Sequence, residues 1–307
     1  MKSADQNLLA GMGVLSAIVD SGNFGAAAEA LGMSQSGVSR AIARLEAKLG
    51  FRLLDRTTRS VTLTDDGRRV LDQVMPLMAA LEEATATALG DAARVHGRLR
   101  VNVDPFFSQR VLAPQLGQFV ARYPELRVEI VSRDQLGDMV ADGFDLAIRF
   151  GVPRPSSLVA RKLLETRILT VAAPAYLARH GRPAKPGDLA EASHICVRYR
   201  DPETGRPFDW EFKRRRKTIT VDVSGRLTVN DVATMHGVCL AGEAIAQVMA
   251  LGVESYIADG RLVELFADWP DDIFPVYAYY PSRHHMPARV RTFLDFVVDI
   301  TKNASSL

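Results

Sequence analysis

Apolar residues in the first fifty positions recur at helical spacing. Leu8, Leu9, Met12, Leu15, Ile18 and Val19 fall three and four apart, which predicts an amphipathic helix over residues 5–20. Ser21-Gly22 interrupts that pattern, and Asn23 is placed to cap a short alanine-rich helix over 24–31 that Gly32 ends. Ser34 is placed to cap a third helix over 35–49, ended by Gly50. Only Gly32 and Met33 separate the second helix from the third cap, so the two helices meet across a tight turn. Ala28 at the crossing, Gly32 in the turn and Val38 facing inward suit a helix-turn-helix.

The third helix is two-faced. Val38, Ile42, Leu45 and Leu49 form an apolar stripe, while Gln35, Ser36, Ser39, Arg40 and Arg44 share a polar face. Those side chains are the types that bond base edges and phosphates, since glutamine suits adenine, arginine suits guanine or phosphate, and serine suits either. A merely solvated face is the ordinary reading of one such helix, but the turn before it argues against that. Two short apolar segments follow, 51–56 and 61–64, which predict the strands of a wing whose exposed turn is 57–60. That turn would bring Arg56 and Arg59 to a phosphate or the minor groove.

From Thr64 a further helix is expected, with Asp65 and Asp66 at the positive end of its dipole. Val70, Val74, Leu77, Leu81, Ala84 and Ala88 then alternate at spacings of four and three, the pattern of a coiled-coil seam. Packing of this stripe inside its own chain is the alternative. Self-association through Val70, Val74, Leu77 and Leu81 is favoured, because a helix-turn-helix reader commonly needs two copies to span successive major grooves. Pro76 should bend the helix.

After residue 97 the periodicity changes to strands alternating with helices. Strands are expected at 99–103, 126–131 and 145–150, and helices at 110–122 and 134–141. A second unit is expected to begin near 168–172, and the chain to return to the first near 276–280. The alternation predicts parallel sheets with flanking helices, joined by crossing strands that form a ligand cleft. The expected division is a DNA-reading domain over 1–65, a linker and dimerisation helix over 66–92, and an effector-binding domain over 97–304. The last would comprise lobes of 97–167 plus 273–304, and of 168–272.

Composition changes this picture only locally. The chain of 307 residues is 47% hydrophobic and 24% charged, with a formal net charge of +2, so global charge alone does not suggest nucleic acid. Six basic and two acidic residues lie between Ser34 and Arg59, a basic patch on a mildly acidic body. Cys196 and Cys239 are far apart and have no metal-ligand spacing, so buried thiols are expected. Neither a signal peptide nor a membrane span is legible, and a cytoplasmic location is expected.

Phe24-Gly25-Ala26-Ala27-Ala28, Ser34-Gln35-Ser36-Gly37-Val38-Ser39-Arg40, Leu45-Glu46, Leu54-Asp55-Arg56 and Thr62-Leu63-Thr64-Asp65-Asp66-Gly67 run collinearly through the N-terminal module. Together they resemble the signature of LysR-type transcriptional regulators, and the α/β half extends the resemblance over essentially the whole chain. It implies an all-α winged helix-turn-helix and linker helix, followed by a two-lobed α/β domain similar to periplasmic binding proteins. It also implies base and backbone contacts from Gln35, Ser36, Ser39 and Arg40, with Arg59 in the wing, and a linker-helix dimer that often pairs into a tetramer. Two departures stand out. Ser36 occupies a position where many members carry proline, and Glu243 one where relatives often carry a second glycine.

Cleft candidates come from strand C-terminal ends and helix starts. Pro105, Phe106, Phe107 and Ser108 suit a flat carboxylate at a helix start, and Arg149 or Arg198 would suit an organic anion, unless each is an internal ion-pair partner. Asn230 and Asp231 precede a helix carrying His236. Lys213-Arg214-Arg215-Arg216-Lys217 is the densest charge run and predicts a solvated hairpin tip between 210–212 and 218–223, with a secondary DNA contact as the alternative. His284-His285 has no third ligand at useful spacing, so no metal or other cofactor is expected. A solute-binding protein and an enzyme are the rivals. An export signal would favour the first and a positioned nucleophile or acid–base pair the second; neither is legible. The partners expected are therefore duplex DNA, an anionic small-molecule effector and a second copy of the chain, in a homodimer or homotetramer, with no membrane and no catalysis.

Overall fold

The computed structural model describes residues 2–56, 61–71, 73, 74, 77, 78, 95–139, 142–191, 193–223, 225–281 and 286–304. The expected wing turn with Arg59, the seam residues Leu81, Ala84 and Ala88, Pro76 and the His284-His285 pair lie outside the described residues.

The N-terminal module contains α1 (Lys2–Ser21), α2 (Phe24–Ala30), α3 (Gln35–Leu49), β1 (Leu54–Arg56) and β2 (Val61–Leu63). A further helix, α4, begins at residue 65 and is described over 65–71. The expected caps form. Asn23 Oδ1 accepts the Ala26 N–H at 2.8 Å, and Ser34 Oγ accepts the Gly37 N–H at 3.1 Å. Gly32, at φ 62°, makes the turn between α2 and α3, and the Met33 N–H closes it on the Ala28 carbonyl. Met12, Leu15 and Ile18 of α1 pack with Ala27, Ala28, Val38, Ile42 and Leu45 in one buried cluster. Val38 and Ile42 are wholly buried, each contributing roughly 1.5–3 kcal/mol relative to exposure.

The second module begins with β3 (Gly97–Val103) and continues through α5 (Pro105–Phe107), a π-turn at Ser108–Leu112 and α6 (Ala113–Arg122). Its further strands are β4 (Leu126–Ser132), β5 (Leu146–Phe150), β6 (Val159–Ala172), β7 (Cys196–Tyr199), β8 (Trp210–Arg214), β9 (Lys217–Val221), β10 (Thr228–Val229), β11 (Ile245–Met249), β12 (Val263–Leu265) and β13 (Ile273–Tyr280). Helices α7 (Pro174–His180), α8 (Val232–Leu240), α9 (Glu254–Ala258) and α10 (Ala288–Ala304) complete the described chain. Among the described residues the sheet order is β10-β7-β11-β6-β13-β5-β3-β4, with β12 also pairing β6 and β8 and β9 forming a separate hairpin.

One long strand, β6, takes in the segment expected at 168–172 but begins earlier, at Val159. Its residues Val159–Arg167 pair with β13, and Ile168–Ala172 pair with β11 and β12. The lobe boundary therefore falls within a strand. β3 runs parallel to β4 and β5, and β7 parallel to β10 and β11, while β6 and β13 are antiparallel to their neighbours. The sheet is mixed rather than parallel throughout, because β6 and β13 run antiparallel to each other and to the strands beside them.

Two expected helices are corrected. The helix expected at 110–122 starts at Pro105, since Asp104 caps it and proline needs no N–H at that position. The helix expected over 134–141 does not form over the described 134–139. The Arg149 guanidinium takes the carbonyls of Arg133 and Gln135, and the Asn102 amide takes those of Gln135 and Leu136, so other partners hold the acceptors a helix would use.

Candidate functional site

On α3 the apolar stripe is buried and the polar face is not. Gln35, Ser36, Arg40 and Arg44 are exposed and Ser39 is half-buried, above wholly buried Val38 and Ile42 and nearly buried Leu45. Arg40 Nε donates to the Ser36 carbonyl at 3.3 Å, and Ser36 Oγ lies 3.1 Å from Ser34 Oγ. The N-cap, Ser36 and Arg40 thus form a continuous run at the start of the helix. Groups there reach deepest when a recognition helix enters a major groove.

Strands β1 and β2 pair antiparallel, with Leu54 opposite Leu63 and Arg56 opposite Val61. The residue that ties this wing to α3 is Glu46. Its Oε1 accepts the N–H groups of Leu53 at 2.8 Å and Leu54 at 3.2 Å, fixing where the first wing strand leaves the helix. In the sequence Glu46 registers only as charge and as part of a motif. Thr64 caps α4 through the Gly67 N–H at 2.9 Å and donates to the Arg52 carbonyl at 2.7 Å. A Cβ on Gly67 would overlap the Leu53 carbonyl oxygen, so α4 sits directly on the strand backbone. Val70, Leu71, Val74 and Met78 pack partly buried against the helix-turn-helix core, while Leu77 is 69% exposed. Of the expected seam, Val70 and Val74 thus pack within their own chain, and Leu77 is presented outward.

In the α/β module the expected cleft residues divide. Phe106 and Phe107 lie 6.2 and 6.4 Å from Phe150, and Phe150 stacks on Phe274 at 5.9 Å. Phe106 also reaches the other lobe, meeting the edge of His236 at 6.1 Å. A Cβ on Gly252 would lie 2.6 Å from Phe106 Cζ, so that lobe admits the ring only with glycine there. The Asn230 carbonyl accepts the Tyr199 hydroxyl at 3.0 Å, and Asp231 caps α8 through the Thr234 N–H at 2.7 Å. Pro105 is exposed and Ser108 half-buried, opening the helix and the π-turn respectively.

The groups considered for holding an anion have partners within the module, the alternative that the sequence left open for the two arginines. Arg149 is 6% exposed and donates to Asn102 Oδ1 and the Arg133 carbonyl at 2.6 Å, and to the Gln135 carbonyl. Burial lowers its pKa to about 10 against the opposing pull of Asp104 and Asp134. Arg198 donates to the Val223 carbonyl and lies 3.4 Å from Asp222. The N–H groups of Phe106 and Phe107 are both taken by Asp104 Oδ1, at 2.9 and 3.0 Å. Burial raises the Asp104 pKa, with those N–H groups and Arg149 opposing it. The arginines are internal braces. Both are polar side chains in apolar strands, and such positions are as often structural as ligating.

His236 is 8% exposed, its Nε2 has no partner among the described residues, and burial lowers its pKa. The Tyr199 pKa is raised, first by burial and then by Asp104, Asp134 and Asp231. Phe150 and Phe274, and Tyr199 through Phe208, join this aromatic group, and no local motif in the sequence marks an aromatic that meets its partners only in the fold. Glu243 leaves the turn it occupies intact. Gly242 takes the left-handed conformation at φ 75°, and Glu243 points out to Arg179 at 3.6 Å. Both cysteines are buried, and burial pushes each thiol up to about 12. Among the described residues, no group of three or more His, Cys, Asp or Glu is placed to hold a metal ion, and no single helix is long and apolar enough to cross a membrane.

Residues 9–68 match the family model described as bacterial regulatory helix-turn-helix protein, lysR family, and residues 92–301 match the LysR substrate binding domain. The chain belongs to the LysR family of transcriptional regulators. An HTH-type transcriptional repressor of Pseudomonas aeruginosa is 32% identical to this LysR-type chain over 292 residues, covering 95% of it and 92% of the relative. The structure of CrgA from Neisseria meningitidis, a LysR-type transcriptional regulator, aligns with a TM-score of 0.61 at 32% identity, covering 95% and 98% of the two chains. The full-length Vibrio cholerae virulence activator AphB aligns with a TM-score of 0.59 at 26% identity, covering 95% and 98%. This LysR-type protein therefore combines an N-terminal helix-turn-helix with a C-terminal α/β substrate-binding domain, and it is a DNA-binding transcription regulator.

Proposed function

We propose that this regulator lays α3 in the major groove and reads sequence with Gln35, Ser36, Ser39, Arg40 and Arg44. Arg56 and Arg59 of the wing reach the adjacent backbone. The observation that carries the reading is the partition of α3, whose stripe is buried while Gln35, Ser36, Arg40 and Arg44 are exposed. Residues 1–65 form the reader, 66–92 the linker and dimerisation helix, and 97–304 the effector-binding domain. Two protomers associate through the linker, using the exposed Leu77 with Leu81 continuing the stripe, and dimers pair into tetramers. The protein binds rather than catalyses.

The effector lies between the lobes of the α/β module, against Phe106, Phe150 and Phe274, with the Tyr199 hydroxyl and His236 as polar partners. The sequence suggests an organic acid; with Arg149, Arg198 and the α5 N–H groups engaged internally, this reading rests the recognition on the aromatic side chains instead. A flat, uncharged or weakly polar molecule suits the aromatic walls better. Its binding biases one arrangement of protomers over another, and so the half-sites held together.

Selection of duplexes from a random library by the full-length protein tests the DNA half of this reading. Enrichment of a motif with two half-sites about one helical turn or a multiple apart is expected. Enrichment of no common motif would overturn it. A thermal-shift screen of aromatic acids against their amides and alcohols tests the effector half. The uncharged members should raise the melting temperature, and Phe106→Ala should abolish the shift. Stabilisation by the acids alone would contradict this assignment.

A further inference from the structure

The run Lys213-Arg214-Arg215-Arg216-Lys217 forms the β8–β9 hairpin tip, but only part of it is simply solvated. The segment 268–272 packs alongside and meets it charge for charge. Lys213 Nζ lies 2.8 Å from Asp272 and 2.9 Å from Glu211, and Arg214 pairs with Asp268 at 2.7 Å. Asp271 accepts the Arg215 backbone N–H, and the Lys217 ammonium lies 5.7 Å from the Trp269 ring centre. These contacts neutralise the base of the hairpin and hold its turn in place. They leave out the guanidinium groups of Arg215 and Arg216, which are exposed and have no ion pair or hydrogen bond among the described residues.

Two features oppose this turn sequence on folding grounds. Arg214 and Lys217 are paired across the strands, so Arg215 and Arg216 form a two-residue connection, and Arg215 takes φ 55°. Glycine, asparagine or aspartate relieves that conformation, and arginine does not. Adjacent like charges add repulsion. The same two residues, with Arg214, Lys217 and Trp269, line an open recess of about 480 Å³. Fixed cations around an aromatic wall are the chemistry that receives phosphate groups of a polyanion.

We propose that the Arg215-Arg216 turn is a second DNA contact in this protein, one that grips the phosphates of duplex DNA without reading its sequence. It adds to the contacts of α3 and does not depend on which base pairs α3 selects. Aspartates 268, 271 and 272 set the direction of the turn, Lys217 supplies a further charge and Trp269 the wall of the recess.

The test uses the full-length protein and a duplex of arbitrary sequence, with affinity followed by fluorescence anisotropy over a salt series. Removing one phosphate contact should lower the slope of log affinity against log salt by about 0.9, so R215N/R216Q should lower it by about 2 and weaken binding roughly tenfold or more near 0.1 M salt. R215K/R216K should retain most of the slope. The melting temperature of R215N/R216Q should be equal or higher, because asparagine relieves the left-handed position. An unchanged slope and affinity in R215N/R216Q would overturn the proposal. So would competition by a free nucleoside triphosphate for the turn with duplex binding intact, since the partner would then be a nucleotide rather than DNA. If R215N/R216Q melts low, R216Q alone decides, because only Arg215 holds the left-handed φ; it should lower the slope by about 1.

Discussion

His236 shows how much one side chain's surroundings determine. Its ring is sealed between Phe106 and Tyr256, at 6.1 and 6.3 Å, and its pKa is lowered by burial from 6.5. A histidine whose folded pKa lies below its unfolded value binds fewer protons folded than unfolded. Stability is therefore full above the unfolded value and falls as pH drops through about 6.5 and below it. The His236→Gln variant should melt with a flatter acid limb between about pH 7 and 5 than the native chain, as read by calorimetry over a pH series. An identical acid limb would show that the ring protonates without cost. Glu46 is the comparable residue in the DNA-reading module. Glu46→Ala removes an acceptor shared by two backbone donors and should cost about 1–3 kcal/mol in chemical denaturation. It should also lower DNA affinity, since the first wing strand would no longer be anchored on α3.

Elements are legible where their stop signals are local. Asn23, Gly32, Ser34 and Gly50 delimit α2 and α3 in sequence, and the observed caps use the same residues. The segment 134–139 shows the opposite case. Its failure to form a helix is decided by Asn102 and Arg149, which are distant in sequence and visible there only as polar residues within apolar strands. The long β6 is hidden for a related reason, since its alternation changes where it passes from one lobe to the other. The exposed polar face of α3 lies on one helix and can be found from periodicity. The proposed effector site draws on Phe106, Phe150, Tyr199, His236 and Phe274, from five separated stretches of chain, so its aromatics can be found only partly. Helix α4 poses an element-scale test. Leu77→Glu places a charge at an exposed seam position, so it should leave protomer unfolding nearly unchanged and shift sedimentation toward smaller species. Native-like association in that variant would assign self-association to other surfaces.

At the scale of the whole molecule, two modules with different chemistry share one chain. The N-terminal module presents fixed cations and hydroxyls outward over an apolar core. The α/β module brings aromatics of both lobes together around His236, whose Nε2 has no partner among the described residues, and carries a basic turn braced by aspartates. Coupling between them is a difference in free energy between arrangements, and each ligand contributes its differential affinity for them. The central claim is narrower, that the exposed face of α3 selects sequence. The direct test compares native protein and Arg40→Ala on a selected operator duplex and a scrambled one at matched salt. Arg40→Ala should lose about 1–3 kcal/mol on the operator, roughly five- to 150-fold, with little change on the scrambled duplex. Equal affinity of the two proteins for the operator would contradict it.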